Sequence, residues 1–108
     1  MSVKIFNSVL ATGASRSIPV NPAKSFHTVQ ATMGGTVVAT AVTITLEGSI
    51  DGESWFTLAT HAFSGAEISA EKAMFHVADK TVSNIRLNLT VLTGGTAPSI
   101  SAWYANKD

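Results

Sequence analysis

Two segments of the chain alternate apolar and polar residues, and this period of two limits the fold more than any other feature. The first is AVTITLEGSI and the second is NIRLNLTVL. Their apolar positions are Val42, Ile44, Leu46, Gly48 and Ile50, and Ile85, Leu87, Leu89 and Val91. Successive side chains of a β-strand point to opposite faces, so each segment is predicted to be a strand with one face in the core. In the second segment, Leu92 is the one apolar residue on the polar side.

Weaker strand signals and frequent turns extend this interpretation to the whole chain. Segments 3–10, 26–33, 55–63 and 99–105 are rich in β-branched and aromatic residues, and glycines or prolines separate them. We therefore predict an all-β fold, an antiparallel, jelly-roll-like β-sandwich of about eight short strands. A chain of 108 residues is expected to form one domain. Residues 1–24 would be an N-terminal arm with the first strand, and residues 25–108 the sandwich.

Residues 65–80 fit two patterns. Ala70, Met74 and Val77 lie on a helical stripe, and Ser64 with Glu67 has the spacing of a capping box. The alternation from 73 to 77 fits a strand equally well. We predict a loop with one helical turn at 69–72, followed by a strand at 73–78.

The segment 34–41 and the segment 94–98 both begin with Gly-Gly-Thr between predicted strands. Gly-Gly is a good reversing sequence, so two similar hairpins are predicted, with their tips at one end of the sandwich. Val37 and Val38 make the first tip apolar, which indicates a contact surface.

The composition excludes several classes of function. Charged residues form only 13% of the chain, and the 7 basic residues are scattered and balanced by 7 acidic ones. This argues against a nucleic-acid partner and favours a surface that other protein partly covers. Without cysteine there are no disulfides, thiolate nucleophiles or Cys-type zinc sites. No secretory signal or apolar run of about 20 residues is found, so neither export by that route nor a membrane is expected.

The stretch EGSIDGESW contains Glu47, Asp51 and Glu53 close to Trp55. Asp-Gly is a strong hairpin signal, so these carboxylates are predicted to be solvated charges beside a tight turn. The spacing fits neither a calcium loop of the EF-hand type nor a buried catalytic pair. The Trp55 indole either covers the end of the sandwich or offers a stacking platform to a sugar ring.

No catalytic or cofactor site is predicted. The histidines at 27, 61 and 76 are widely spaced, and none has a metal-binding or triad partner at a recognisable distance. We therefore expect a protein that is not an enzyme and needs no cofactor. Trp103 and Tyr104 are adjacent on one strand, so one of the two is expected outside.

Together, TVVATAVTITLEGSIDGESWFTLATHAF and VSNIRLNLTVLTGGTAPSISAWYA resemble small β-sandwich virion proteins of tailed bacteriophages, over roughly residues 26–105. The resemblance implies either a capsid decoration (cement) protein or a module of a phage fibre or tail. We expect the first, a protein that binds the major capsid protein on the outer shell, made in the cytoplasm of a bacterial host and located on the virion surface. We also expect a homo-oligomer. The same hairpin occurs in jelly-roll carbohydrate-binding and discoidin-like modules.

Two sets of site residues follow. For decoration, the expected contacts lie in the arm, at the apolar tip and on the last strand, at Val3, Ile5, Phe6, Val37, Val38, Trp103 and Tyr104. The alternative is a carbohydrate-binding module of a phage fibre or adhesin, with its glycan contacts at Asp51, Glu53, Trp55 and His61.

Overall fold

The computed structural model describes residues 2–108 of the chain. Within that range there are nine β-strands and one short α-helix. In chain order they are β1 Ser2–Val9, β2 Gly13–Ala14, β3 Ile18–Pro19, β4 Phe26–Gly34, β5 Ala41–Ser49, β6 Phe56–Ala62, α1 Gly65–Ala70, β7 Lys72–Val77, β8 Asn84–Thr93 and β9 Ser99–Lys107.

The strands form two antiparallel sheets that face each other. The four-stranded sheet has the order β1-β9-β4-β7, and the five-stranded sheet has the order β2-β8-β5-β6, with β3 also paired to β8. From β4 onward the chain passes between the sheets at every connection except the β5–β6 hairpin. This wrapping is that of a jelly roll. The predicted all-β sandwich and its central hairpin are confirmed.

The core lies between the sheets and contains most of the predicted inward faces of β5 and β8. Ile50, predicted on that face, lies beyond the end of β5 and is exposed. Val42, Ile44 and Leu46 of β5 are buried, as are Leu87 and Leu89 of β8. Full burial of such a side chain contributes about 1.5–3 kcal/mol through the hydrophobic effect. The sandwich is therefore held together mainly by these alternating faces.

A β-bulge in β8 explains the position of Leu92. Thr43 pairs with Val91 but Ile44 pairs with Leu89, so Thr90 is an extra residue in the ladder. The extra residue reverses the alternation, since two consecutive residues then oppose one. Leu92 turns inward and packs against the core, whereas Val91 is exposed. The predicted inward orientation of Val91 is wrong for this reason.

A similar bulge in β1 buries two consecutive residues. Lys4 pairs with Trp103 and Phe6 with Ala102, so Ile5 is the extra residue. Ile5 and Phe6 are only 7% and 5% exposed. Their side chains are not available to a partner of the folded chain, contrary to the prediction. The segment predicted as an arm lies along its own sandwich, with β1 beside β9 and with β2 and β3 beside β8.

The helix begins earlier than predicted. It spans Gly65–Ala70, and a capping box precedes it in which Ser64 accepts from the backbone N–H of Glu67 and the Glu67 carboxylate accepts from that of Ser64. Glu71 ends it in the left-handed conformation. The prediction of a loop here is wrong because the capping box satisfies the first free N–H groups. The following strand, β7, is confirmed.

The two Gly-Gly segments are arches rather than the predicted hairpins. The first joins β4 to β5 and the second joins β8 to β9, so each crosses from one sheet to the other. Their tips do lie at one end, where the backbones of Val37 and Thr96 exchange hydrogen bonds of 3.1 and 3.0 Å. The end of the sandwich is thus closed by the two arches.

Candidate functional site

The acidic hairpin uses one of its carboxylates to build its own turn. Oδ1 of Asp51 accepts hydrogen bonds from the backbone N–H groups of Ser54 (2.8 Å) and Glu53 (2.9 Å) and from the Ser49 hydroxyl (2.9 Å). These bonds lower the pKa of Asp51 to about 2, and the two from backbone N–H groups have the largest effect. A carboxylate held by these bonds stabilises the turn, and only its Oδ2 is free to bind a ligand.

Asp51 gives the hairpin an acid-sensitive stability. A carboxyl whose pKa is lower in the folded chain stabilises it above the unfolded value of 3.8, and that stability is lost as the pH falls toward about 2. We expect the thermal midpoint of Asp51→Asn, which keeps an oxygen acceptor but does not titrate, to fall less steeply between pH 4 and pH 2 than that of the wild type. Glu53→Gln removes an equal charge from the same hairpin and is the control. If the thermal midpoints of the wild type and Asp51→Asn fell equally steeply between pH 4 and pH 2, this role would be contradicted.

Beside the hairpin, the outer face of the five-stranded sheet carries a polar cluster around Arg86. Its Nε donates to Oε1 of Glu47 at 2.6 Å, because β5 and β8 pair in the register that places these residues opposite each other. The guanidinium lies 4.5 Å from the ring centre of Trp55, and Nδ2 of Asn88 is 3.5 Å from the second Glu47 oxygen. The cluster combines an aromatic ring, a cation, a carboxylate and an amide.

The structure does not bring together all of the predicted glycan contacts. Asp51, Glu53 and Trp55 belong to the hairpin, but His61 lies near the far end of β6. There its Nε2 is 2.9 and 3.0 Å from the two oxygens of Glu67, and its ring stacks on Phe75 at 5.1 Å. His61 thus links the start of α1 to strand β7.

Ser64 and His61 together hold the Glu67 carboxylate. Its pKa lies below the usual value because the backbone N–H of Ser64 donates to it, and His61 adds a further hydrogen bond and charge interaction. This arrangement stabilises the start of α1 and leaves no carboxylate oxygen without a donor nearby.

His27 and Tyr104 form a buried polar pair in the four-stranded sheet. Nε2 of His27 is 2.8 Å from the carbonyl oxygen of Lys80, which can only accept, so Nε2 carries the proton. In the neutral imidazole Nδ1 accepts from the Tyr104 hydroxyl at 2.5 Å, and Asn106 donates to that hydroxyl. Burial raises the pKa of Tyr104. With 3% of its surface exposed, Tyr104 is a core residue and not the predicted contact.

The outer face of the four-stranded sheet is open to solvent. Cross-strand pairing aligns a row of four residues across it, which are Met74, Gln30, Trp103 and Lys4. Nζ of Lys4 lies 5.0 Å from the Trp103 ring centre, and Met74 is 51% exposed. The next row contains the pair Thr28 and His76, joined by a hydrogen bond of 2.8 Å. The face thus carries apolar, amide, hydroxyl and charged groups.

The charged side chains on the strands of this face have one sign. Lys4, Lys72 and Lys107 lie on strands β1, β7 and β9, and none of the four strands, as far as residues 2–108 describe them, contains Asp or Glu. Glu67 of α1 lies beside Gln30, Lys72 and Met74 at one border of the face. The strands themselves thus carry an excess of positive charge, which favours an acidic partner.

The remaining predicted contact residues are spread over the molecule. Val37 is 53% exposed at the tip of the first arch, and Val38 beside it is half-buried against the core. Val3 also packs partly against the core, whereas Trp103 lies on the open sheet face. The structure therefore does not assemble them into one patch.

The sequence pattern missed the partners of both Trp residues. Alternation placed Glu47 and Arg86 on outer faces, and it could have placed Lys4 and Met74 there too. It contained no signal that β5 pairs with β8, or β1 with β9, because these pairs are 39 or more positions apart. Those pairings bring Arg86 to Glu47 and Lys4 to Trp103.

Two further kinds of feature are absent from the residues that the structure describes. Residues 2–108 contain no group of three or more His, Asp or Glu side chains arranged to hold a metal ion. Over the same range, no helix is both long enough and apolar enough to cross a membrane.

Comparisons with known proteins show a similar fold without a sequence family. No protein-family model matches the chain, and no curated protein matches its sequence. The SPBc2 prophage-derived protein YomS is similar with a TM-score of 0.57 and 9% identity, over 96% of this chain and 90% of that one. The CBM32-3 module from a family 31 glycoside hydrolase of Clostridium perfringens has a TM-score of 0.62 and 11% identity, over 94% and 72%. At these identities the likeness shows the β-sandwich fold alone.

Proposed function

We propose that the protein is a structural component of a tailed-phage particle, a decoration subunit that binds the outer capsid shell through the outer face of its four-stranded sheet. The observation that carries the proposal is this open face, with the half-buried Trp103 at its centre, lysines around it and no carboxylate on its described strands. The sequence resemblance to phage virion proteins and the fold similarity to a prophage-derived protein support it.

The physical basis is adhesion to an acidic protein surface. Trp103 and Met74 supply apolar area, and partly exposed tryptophans are among the residues that dominate binding energy at interfaces. The lysines add attraction that depends on salt. A capsid lattice presents the same site many times, so a modest affinity at each site is sufficient when subunits also contact each other.

The test is co-sedimentation with shells of the phage that encodes the protein, purified from a strain in which its gene is deleted. The wild type is expected to pellet with the shells, and less so as salt rises. Trp103→Ala is expected to weaken binding by at least about 10-fold, as an interface hot spot does. Trp55→Ala changes the other tryptophan, on the opposite sheet, and should bind as the wild type does. No binding by the wild type, or equal losses for both variants, would refute the proposal.

The Arg86 cluster favours a second candidate function, carbohydrate binding. A sugar ring stacks on an aromatic face while its hydroxyls bond to charged and amide groups. Here Trp55 and Glu47 contact the guanidinium, and Asn88 contacts Glu47. The fold similarity to a carbohydrate-binding module is consistent with it. In this case glycan-array binding should disappear in Trp55→Ala and remain in Trp103→Ala. Absence of any glycan binding by the wild type would remove this candidate.

A further inference from the structure

We propose that β6 pairs with β6 of a second copy of this chain, so that two five-stranded sheets join edge to edge. β6 is the last strand of its sheet, and only β5 pairs with it. An edge strand presents free N–H and C=O groups, which form a template for another strand. The inference goes beyond the proposed function, because self-pairing requires no shell.

The other three sheet edges have features that discourage pairing. β1 carries Lys4 and two register shifts, and β7 begins at Lys72 and lies in contact with α1. At the fourth edge, β2 and β3 are two residues each and β3 contains Pro19. Charges, bulges, prolines and short strands are the usual protections of an edge.

β6 lacks most of these protections. Its sequence FTLATHA contains no Lys, Arg, Asp, Glu or Pro. It has one bulge at Leu58, near its start, and the stretch from Ala59 to Ala62 then pairs regularly with β5. Small side chains, those of Ala59, Thr60 and Ala62, leave the backbone of that stretch accessible to a second strand.

The hydrogen-bond pattern identifies the free backbone groups. The N–H of Phe63 donates to the carbonyl of Val42, so the residues at 63, 61 and 59 direct their backbone groups toward β5. The alternate residues Thr60 and Ala62 therefore direct theirs outward. In an antiparallel pair with a two-fold axis at His61, Thr60 of each copy faces Ala62 of the other and can exchange two hydrogen bonds with it.

The side chains on and beside β6 are compatible with a second copy of the chain as the partner. The strand carries no Lys, Arg, Asp or Glu. The axis places His61 of the two copies opposite each other, and each His61 is bonded to the Glu67 carboxylate of its own chain. Ile50 and Phe56 are 67% and 66% exposed at the start of the strand. The antiparallel arrangement directs Phe56 of one copy toward α1 of the other, where the exposed residues include Ala66 and Ala70. Part of this apolar surface is then removed from water.

Sedimentation velocity of the purified full chain at micromolar to submillimolar concentrations tests the pairing. The wild type is expected to be a dimer that dissociates on dilution. Ala62→Pro removes an outward N–H that makes no bond to β5, and proline is tolerated on an edge strand in that position. It should raise the dissociation constant at least ~30-fold, because one hydrogen bond per copy and close approach are both lost. Ala62→Ser keeps the N–H and should remain dimeric.

A second variant covers the case in which Ala62→Pro does not fold. Thr60→Lys places a charge on the outer side of the strand and is also expected to give a monomer with the wild-type circular dichroism spectrum. A monomeric wild type at all concentrations, or a dimer that persists in the folded variants, would overturn the inference. Shell binding is measured separately, with Trp103→Ala. A protein that does not bind shells can still form the dimer that depends on Ala62, and a protein that does not dimerise can still bind shells.

Discussion

Gly95→Ala is expected to lower the free energy of unfolding by about 2 to 4 kcal/mol, although it adds only one methyl group. Gly95 lies in the second arch with a φ of 73°, a conformation that costs an L-residue about 1 kcal/mol or more. In addition, its Cβ would overlap the carbonyl oxygens of Val37 and Val38 in the first arch. Those are backbone atoms, so they cannot rotate away, and the arches would have to separate.

Urea-induced unfolding of the purified protein measures this effect, and Gly65→Ala is the matched control. Gly65 is the first residue of α1, its φ is not in the left-handed range, and a Cβ there meets nothing within 4 Å. Its replacement should leave stability unchanged or raise it slightly, since alanine favours a helix. A Gly95→Ala protein within 0.5 kcal/mol of the wild type would show that the arches are not packed backbone to backbone.

Phe6→Ala is expected to cost about 3–5 kcal/mol of stability, which is the usual range for removing a buried phenylalanine. A small domain is stable by about 5–15 kcal/mol, so the variant should be partly unfolded near physiological temperature. The reason is the bulge in β1, which places the ring between the sheets instead of at the surface. Thermal unfolding followed by circular dichroism gives the measurement.

Phe56→Ala provides the comparison, because it removes the same side chain from an exposed position of β6. At concentrations where the protein is monomeric, its midpoint should stay close to that of the wild type, since exposed substitutions change stability little. Similar losses in the two variants, or a larger loss for Phe56→Ala, would place Phe6 at the surface, where the sequence pattern had put it.

The helix at Gly65–Ala70 shows how local signals compete. The capping pair Ser64 and Glu67 was visible in the sequence and indicated the helix start, yet the alternation after Ala73 was also real. Both signals proved correct for adjacent segments. The boundary between them is set by Glu71 in the left-handed conformation, which no propensity of glutamate predicts.

The sequence by itself determined the elements that depend on neighbours in the chain. The alternation of β5 and β8 fixed their inward faces, and Asp51-Gly52 fixed the hairpin between β5 and β6, because strand periodicity and turn conformation are local properties. The same local rules placed Trp103 and Tyr104 on opposite faces of β9.

Only the tertiary structure decided which strands are neighbours and where the alternation shifts. A bulge depends on the partner strand, so the inward turn of Leu92 and the burial of both Ile5 and Phe6 could not be read from the period of two. The pairing of distant strands brought Arg86 between Glu47 and Trp55 and placed Lys4, Lys72 and Lys107 on one open face. Surfaces that bind partners are built from such long-range pairings, which is why the candidate sites emerged only from the folded chain.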